Sequence, residues 1–157
     1  MNEFYQALAR RLAALTEGCG VMTSNLANSA ALLYGELDRI NWAGFYLLRG
    51  EVLLLGPFCG RPACLEIPLG KGVCGTAARE RRTVVVSDVH EFPGHIACDS
   101  RSRSEIVLPL MRVGRLLGGL DIDSPEAGRF SGEDAAGLRE ICRILEDLPG
   151  WESYQIL

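Results

Sequence analysis

The chain has 157 residues, 48% of them hydrophobic and 23% charged, with a formal net charge of −4, a balance that suits one globular domain with a real apolar core. The acidic pI of about 5.2 and the lack of a basic stripe argue against nucleic acid as a partner; Arg79, Arg81 and Arg82 read as the solvated end of a helix. No apolar run approaches the roughly 18 residues of a membrane span, and the opening Met1-Asn2-Glu3-Phe4 lacks the basic start and apolar centre of a secretion signal, so no membrane partner and a cytoplasmic location are expected.

In chain order, residues 3–16 place Phe4, Leu8, Leu12 and Leu15 at helical spacing. A second helix is expected over 22–37, with Leu26, Ala30, Leu33 and Leu37 on one face and Thr23, Ser24 and Asn25 near its start, where capping oxygens are favoured. Strands are expected at 40–48 and 52–56, joined at Arg49-Gly50 as a hairpin. The Pro- and Gly-rich stretch 57–72 reads as irregular with a short strand at 64–67, and a short helix follows at about 73–81. A strand at 83–86 leads into a loop over about 87–104, a length that in a compact domain usually marks function or disorder. Strands at 105–112 and 115–123 form a second hairpin about Gly114. Ser131 caps a last helix, about 132–148, with Asp134 as a capping-box variant and Leu138, Ile141, Cys142, Leu145 and Leu148 on its apolar face. Hairpins impose antiparallel pairing, so the expected fold class is α+β: an antiparallel sheet flanked by helices, in a single domain over 1–157.

Six cysteines in a reducing compartment point to metal binding, catalysis or transient redox chemistry rather than a disulfide framework. Cys142 lies on the apolar stripe of the last helix and reads as core, and Cys19 stands in a Gly-Cys-Gly turn without an assigned role. Cys64, Cys74 and Cys98 fall in irregular segments or at a helix start, which favours chemistry over packing. At Cys74 the helix N-terminus and Lys71 would favour a thiolate, against the alternative of a small buried residue at a tight turn. Cys98 follows His90 and His95, and an imidazole would lower its pKa or position it. Cys59, just ahead of Cys64, could close an adventitious disulfide. A zinc site built from Cys64, Cys74, Cys98 and His95 has the right ligand types but lacks short paired spacing, so no metal is expected. Gly70-Lys71-Gly72 is not a phosphate loop, because the G-x-x-x-x-G-K-[ST] frame is absent.

Acids stand where a buried strand would avoid them. Asp121 and Asp123 are two apart on one strand and share a face, with Leu120 and Ile122 on the other; a solvent-facing side is the alternative. Gly118 and Gly119 before them let a backbone or a ligand approach closely. Glu105 opens the neighbouring strand, and Trp42 and Tyr46 share a face of the first, as an aromatic wall or as aromatic core. An acid-lined aromatic pocket suits a small cationic or zwitterionic ligand, with a cation–π attraction of roughly 0.5–2 kcal/mol, and the thiols supply a nucleophile.

Asn41-Trp42-Ala43-Gly44-Phe45-Tyr46, Leu55-Gly56-Pro57-Phe58, Ala63-Cys64, Gly70-Lys71-Gly72-Val73-Cys74-Gly75-Thr76-Ala77, Gly94-His95-Ile96-Ala97-Cys98-Asp99, Ser104-Glu105-Ile106-Val107-Leu108-Pro109 and Leu120-Asp121-Ile122-Asp123-Ser124, in that order, resemble the free methionine-(R)-sulfoxide reductase family of GAF-domain enzymes. The likeness spans about residues 25 to 148. It implies a GAF-like fold and thioredoxin-dependent reduction of free L-methionine (R)-sulfoxide, with no metal or organic cofactor and electrons ultimately from NADPH. By the resemblance, Cys98 is the catalytic cysteine, Cys64 the principal resolving cysteine, and Cys74 a third that can also pair with Cys98. Glu105, Asp121 and Asp123 match the ligand-binding acids, Trp42 and Tyr46 the aromatic wall, and the fold family suggests a homodimer. Cys59 departs from the family, which commonly has Gln there. The residues themselves support the chemistry: a Cys98 thiolate would attack the sulfoxide sulfur, and Glu105, with its pKa raised by burial, would serve as acid or stabilise the charge. A non-enzymatic GAF sensor is the rival reading; it explains the fold and the acids but leaves the thiols idle.

Overall fold

Alternating apolar residues build two hairpins, and the hairpins build one sheet. The computed structural model describes residues 2–95 and 100–154. Its elements are α1 (Glu3–Thr16), α2 (Met22–Glu36), β1 (Trp42–Arg49), β2 (Val52–Gly60), β3 (Glu66–Pro68), α3 (Gly72–Glu80), β4 (Val84–Val86), β5 (Ser104–Arg112), β6 (Arg115–Ser124) and α4 (Gly132–Glu146). The strands lie in the order β3-β2-β1-β6-β5-β4, every pair antiparallel. The expected hairpins are β1–β2 and β5–β6, and the β1–β6 seam joins them.

Because side chains alternate across a strand, the seam has two unlike faces. Ala43, Phe45, Leu47, Ile106, Leu108, Leu120 and Ile122 turn to one side and pack with α1, α2 and α4 in a continuous core. Trp42, Tyr46 and Val107 turn to the other, where α3 and β4 cover them. Burying each large apolar side chain contributes about 1.5–3 kcal/mol, so the helical side holds most of the stability. The thinner α3 side holds the polar groups.

Several local expectations are corrected. Leu8 and Leu12 of α1 turn inward as expected, but Phe4 and Leu15 are exposed and Tyr5 and Ala9 are buried in their place. The reason is Tyr5: its hydroxyl donates to Asp134 at 2.6 Å, and its ring lies over Gly137 of α4, where a Cβ would overlap it. The expected polar cap of α2 is not used; its N-cap is Val21, without a side-chain hydrogen bond, and the Asn25 amide donates to the Cys19 carbonyl. The β2 strand runs on through Gly60, the short third strand falls at Glu66–Pro68, and the 87–104 stretch contains a 3-10 turn at Val89–Glu91. The α4 capping box is present as expected, with Ser131 and Asp134 bonding reciprocally.

Candidate active site

Strand pairing assembles the acids. Asp123 lies opposite Trp42 and Glu105 on its two neighbours, and Asp121 lies opposite Gly44 and Val107. Directly paired residues project to the same side of an antiparallel sheet, so Trp42, Tyr46, Glu105, Asp121 and Asp123 meet under α3. They line one cavity with Pro62, Ala63, Ile67, Gly72, Val73, Cys74, His95 and Ser102. The solvent-facing alternative is therefore overturned for Asp121, which is buried with Glu105, while Asp123 is half-buried at the cavity. The cavity encloses about 40 Å³, space for a few water-sized groups.

The electrostatics follow from that burial. Loss of water pushes the Glu105 and Asp121 carboxyl groups well above the ordinary carboxylate range; the charge of Asp121 adds to the rise at Glu105, and that of Asp123 to the rise at Asp121. One oxygen of Asp121, Oδ1, is buried without a hydrogen-bond donor among the described residues. An unfilled acceptor of this kind costs on the order of 1–3 kcal/mol, so a ligand bringing N–H donors would gain by meeting it.

Cys74 corrects a sequence expectation. It sits in the first turn of α3, as expected, but burial and then the charges of Asp121 and Glu105 raise its pKa well above the usual thiol range. The helix N-terminus and Lys71 do not win here, since desolvation and carboxylates closer to the sulfur act the other way. Cys74 is thus a neutral donor, with Sγ at 3.3 Å from Asp121 Oδ2 and 3.9 Å from Glu105 Oε2.

The aromatic wall has a second use. Trp42 stacks on Phe58 at 5.2 Å and near Tyr46 at 6.0 Å. Gly44 and Gly60 leave room for the indole, since a Cβ at either would overlap its ring. Both polar tips bond to one loop: Trp42 Nε1 donates to the Arg61 carbonyl at 3.1 Å, and the Tyr46 hydroxyl to the Cys64 carbonyl at 2.8 Å. Two side chains of the pocket floor thereby hold the backbone that carries Cys64.

The other thiols separate. Cys64 is disulfide-bonded, which withdraws its sulfur from the zinc set considered above, whereas Cys19, Cys59, Cys74 and Cys142 are free thiols. Cys142 is core, as expected. Cys59 makes no adventitious disulfide. It lies opposite Ala43 and packs against the helical core. Cys98 lies outside the described residues. His95 does reach the cavity, and burial first, then His90, lowers its pKa and favours the neutral imidazole.

Ser102 and Ile67 line the cavity without having been singled out. Ile67 had a faint signal, an apolar residue between Glu66 and Pro68 in a strand where only it is buried. Ser102 had none; its place comes from a hydrogen bond to Asn41 across the β1 end.

Residues 26–147 match the GAF domain family. The chain is 50% identical to the free methionine-R-sulfoxide reductase of Escherichia coli over 98% of its own length and 93% of that protein's. It is 38% identical to the enzyme of the same name from Saccharomyces cerevisiae, over 92% of this chain and 84% of that one. Among solved structures it resembles free methionine-R-sulfoxide reductase from Neisseria meningitidis in complex with its substrate. There the TM-score is 0.92 and the identity 40%, covering 98% of this chain and 93% of that one.

Proposed function

The chain belongs to the free methionine-R-sulfoxide reductase family of GAF-domain enzymes, and we propose that it reduces free L-methionine (R)-sulfoxide to methionine with electrons from thioredoxin. The observation that carries this reading is the buried carboxyl cluster of Glu105 and Asp121 facing Trp42 and Tyr46, with an Asp121 oxygen left without a donor. A free ammonium supplies both the positive charge and the N–H donors that cluster lacks. Asp121 and Asp123 hold it, and the first-turn N–H groups of α3 at Gly72 and Val73, which line the same cavity, suit the carboxylate at the other end of the amino acid. A peptide-bound sulfoxide has no ammonium to offer, which accounts for a preference for the free amino acid.

In the proposed reaction the Cys98 thiolate attacks the sulfoxide sulfur while Glu105, kept protonated by its burial, gives a proton to the departing oxygen. The oxygen passes to Cys98 as a sulfenic acid and methionine leaves. The Cys64 thiol then displaces water to form a disulfide, and a thioredoxin dithiol reduces it by exchange. The sum is sulfoxide plus dithiol giving methionine, disulfide and water, with no metal or organic cofactor. The described state, with Cys64 oxidised and the cavity at about 40 Å³, suits the stage after product has left. Cys74, as a neutral donor to Asp121, is in this scheme first a binding residue and only secondarily a resolving one. A cytoplasmic location and a homodimer accompany the proposal.

NADPH oxidation coupled through thioredoxin and its reductase tests it, with free methionine (R)- and (S)-sulfoxide and the Cys98→Ser variant. Turnover of the (R) form, its loss in the variant and little turnover of peptide-bound sulfoxide are expected. Full activity of Cys98→Ser would refute the nucleophile, and equal turnover of peptide-bound sulfoxide would refute the ammonium clamp.

A further inference from the structure

The proposed chemistry leaves one geometric feature of the pocket unused. The Cys74 sulfur and one oxygen each from Glu105 and Asp121 all lie within 4.8 Å of one another, and all three residues are buried. In a tetrahedral zinc site, with Zn–S of about 2.3 Å and Zn–O of about 2.1 Å, the edge between a sulfur and an oxygen ligand is about 3.6 Å. The Cys74–Asp121 and Cys74–Glu105 separations, 3.3 Å and 3.9 Å, bracket that edge. The second, independent observation is Asp121 itself. It is 5% exposed, lines the cavity and keeps Oδ1 without a donor among the described residues. A buried carboxyl group with one oxygen, Oδ2, facing a thiol and the other, Oδ1, open asks for a cation.

We propose that Cys74, Glu105 and Asp121 bind a thiophilic divalent cation, zinc or cadmium, in this pocket, in competition with the amino-acid ligand. The donor set selects the ion. One sulfur and two carboxylates suit zinc or cadmium, whereas calcium needs six or more oxygens and magnesium a near-octahedral oxygen shell. The cavity, at about 40 Å³, has room for the ion and a water in the fourth position. On binding, Cys74 and whichever of the two carboxyl groups is protonated lose their protons to solvent, and lone pairs of the sulfur and the carboxylate oxygens form the metal bonds; nothing is oxidised or reduced. Cys74 is a free thiol while Cys64 is disulfide-bonded, so the oxidised protein already holds the complete set. The ion is therefore a reversible inhibitor of the pocket, not a resident cofactor. The competition rests on reading the pocket as the amino-acid site; the binding does not.

The experiment titrates cadmium into the full-length oxidised protein, following the thiolate-to-cadmium ultraviolet band and binding heat together. Stoichiometric uptake with the band is expected. Cys74→Ser should abolish the band, and Asp121→Asn and Glu105→Gln should each weaken binding about ten-fold or more, with folding checked by circular dichroism. Cys59→Ser and Cys19→Ser, which remove free thiols elsewhere, should leave the titration unchanged. Zinc should displace cadmium, and free methionine sulfoxide should raise the apparent cadmium Kd of the unaltered protein. A band that survives Cys74→Ser, or binding that is indifferent to both carboxylate variants, overturns the site. Binding through Cys74 that methionine sulfoxide does not disturb keeps the metal site and overturns both the competition and the assignment of this pocket to the amino acid.

Discussion

At the scale of single residues, the pocket shows side chains serving two neighbours at once. Tyr46 forms part of the aromatic wall, yet its hydroxyl bonds to the Cys64 carbonyl. Removing only that hydroxyl separates the two roles. In Tyr46→Phe the ring remains, so the first turnover, read as rapid release of methionine from reduced enzyme, should stay within about two-fold of the parent, because the hydroxyl bonds to the Cys64 carbonyl and not to the pocket acids. The Cys64 backbone loses a hydrogen bond of about 1 kcal/mol, so closure of the disulfide should slow about five-fold. Stopped-flow thiol quantification after one equivalent of sulfoxide measures both phases. An unchanged closure rate with a slowed first turnover would show that the hydroxyl serves the ligand and not the loop. Cys74 teaches the complementary lesson. Its position at a helix start was legible in the sequence, but its protonation was not, because the carboxylates that decide it come from β5 and β6, 31 and 47 residues away.

At the scale of elements, the hairpins and the last helix were legible because period-two and period-3.6 patterns are local. Cys59 was not, and the reason is a bulge. Gly44 pairs with Phe58 but Tyr46 pairs with Leu55, so β2 carries one extra residue between those pairs. That residue reverses which face the following positions take. Phe58 joins Trp42 on the ligand side while Cys59 turns to the helices, a switch that no alternation count across Leu55-Gly56-Pro57-Phe58 reveals. Gly118 likewise resolves an ambiguity: the close neighbour is backbone, the Tyr46 carbonyl and Leu47 Cα of β1, and not a ligand. Its φ of +153° and that contact leave no room for a side chain at this point of the β1–β6 seam. Gly118→Ala should therefore destabilise the protein by about 2–3 kcal/mol. Urea unfolding should show a lower midpoint with an unchanged slope, and a loss within about 0.5 kcal/mol would show that the seam relaxes freely.

At the scale of the whole molecule, the two faces of the sheet divide the work. The helical face is apolar and complete; the α3 face accepts buried carboxyl groups that weaken the ligand-free fold, and under the proposed function that stability is given up to hold the amino acid. This division was only partly legible: the sequence showed acids inside apolar strands, while their burial depended on α3 and the loops closing over them from distant positions. The trade has a pH signature whose sign can be worked out. Asp121 and Glu105 have folded pKa values raised above their unfolded values of 3.8 and 4.5. A raised carboxyl is at ease when protonated, so its contribution is fully present below the unfolded value. It is lost progressively as pH climbs from there toward the raised folded value. Asp121→Asn replaces a titrating group with a neutral one of the same shape and removes that loss. Thermal melts of the ligand-free variant should match the parent near pH 4 and exceed it increasingly toward pH 8, while the variant binds methionine sulfoxide more weakly because the ammonium has lost a carboxylate. Other titrating groups are common to both proteins and cancel in the difference. A gap that shrinks as pH rises would mean that Asp121 is stabilised as a carboxylate in the folded protein, and the account of the acid cluster as strained in the absence of a cation would fall with it.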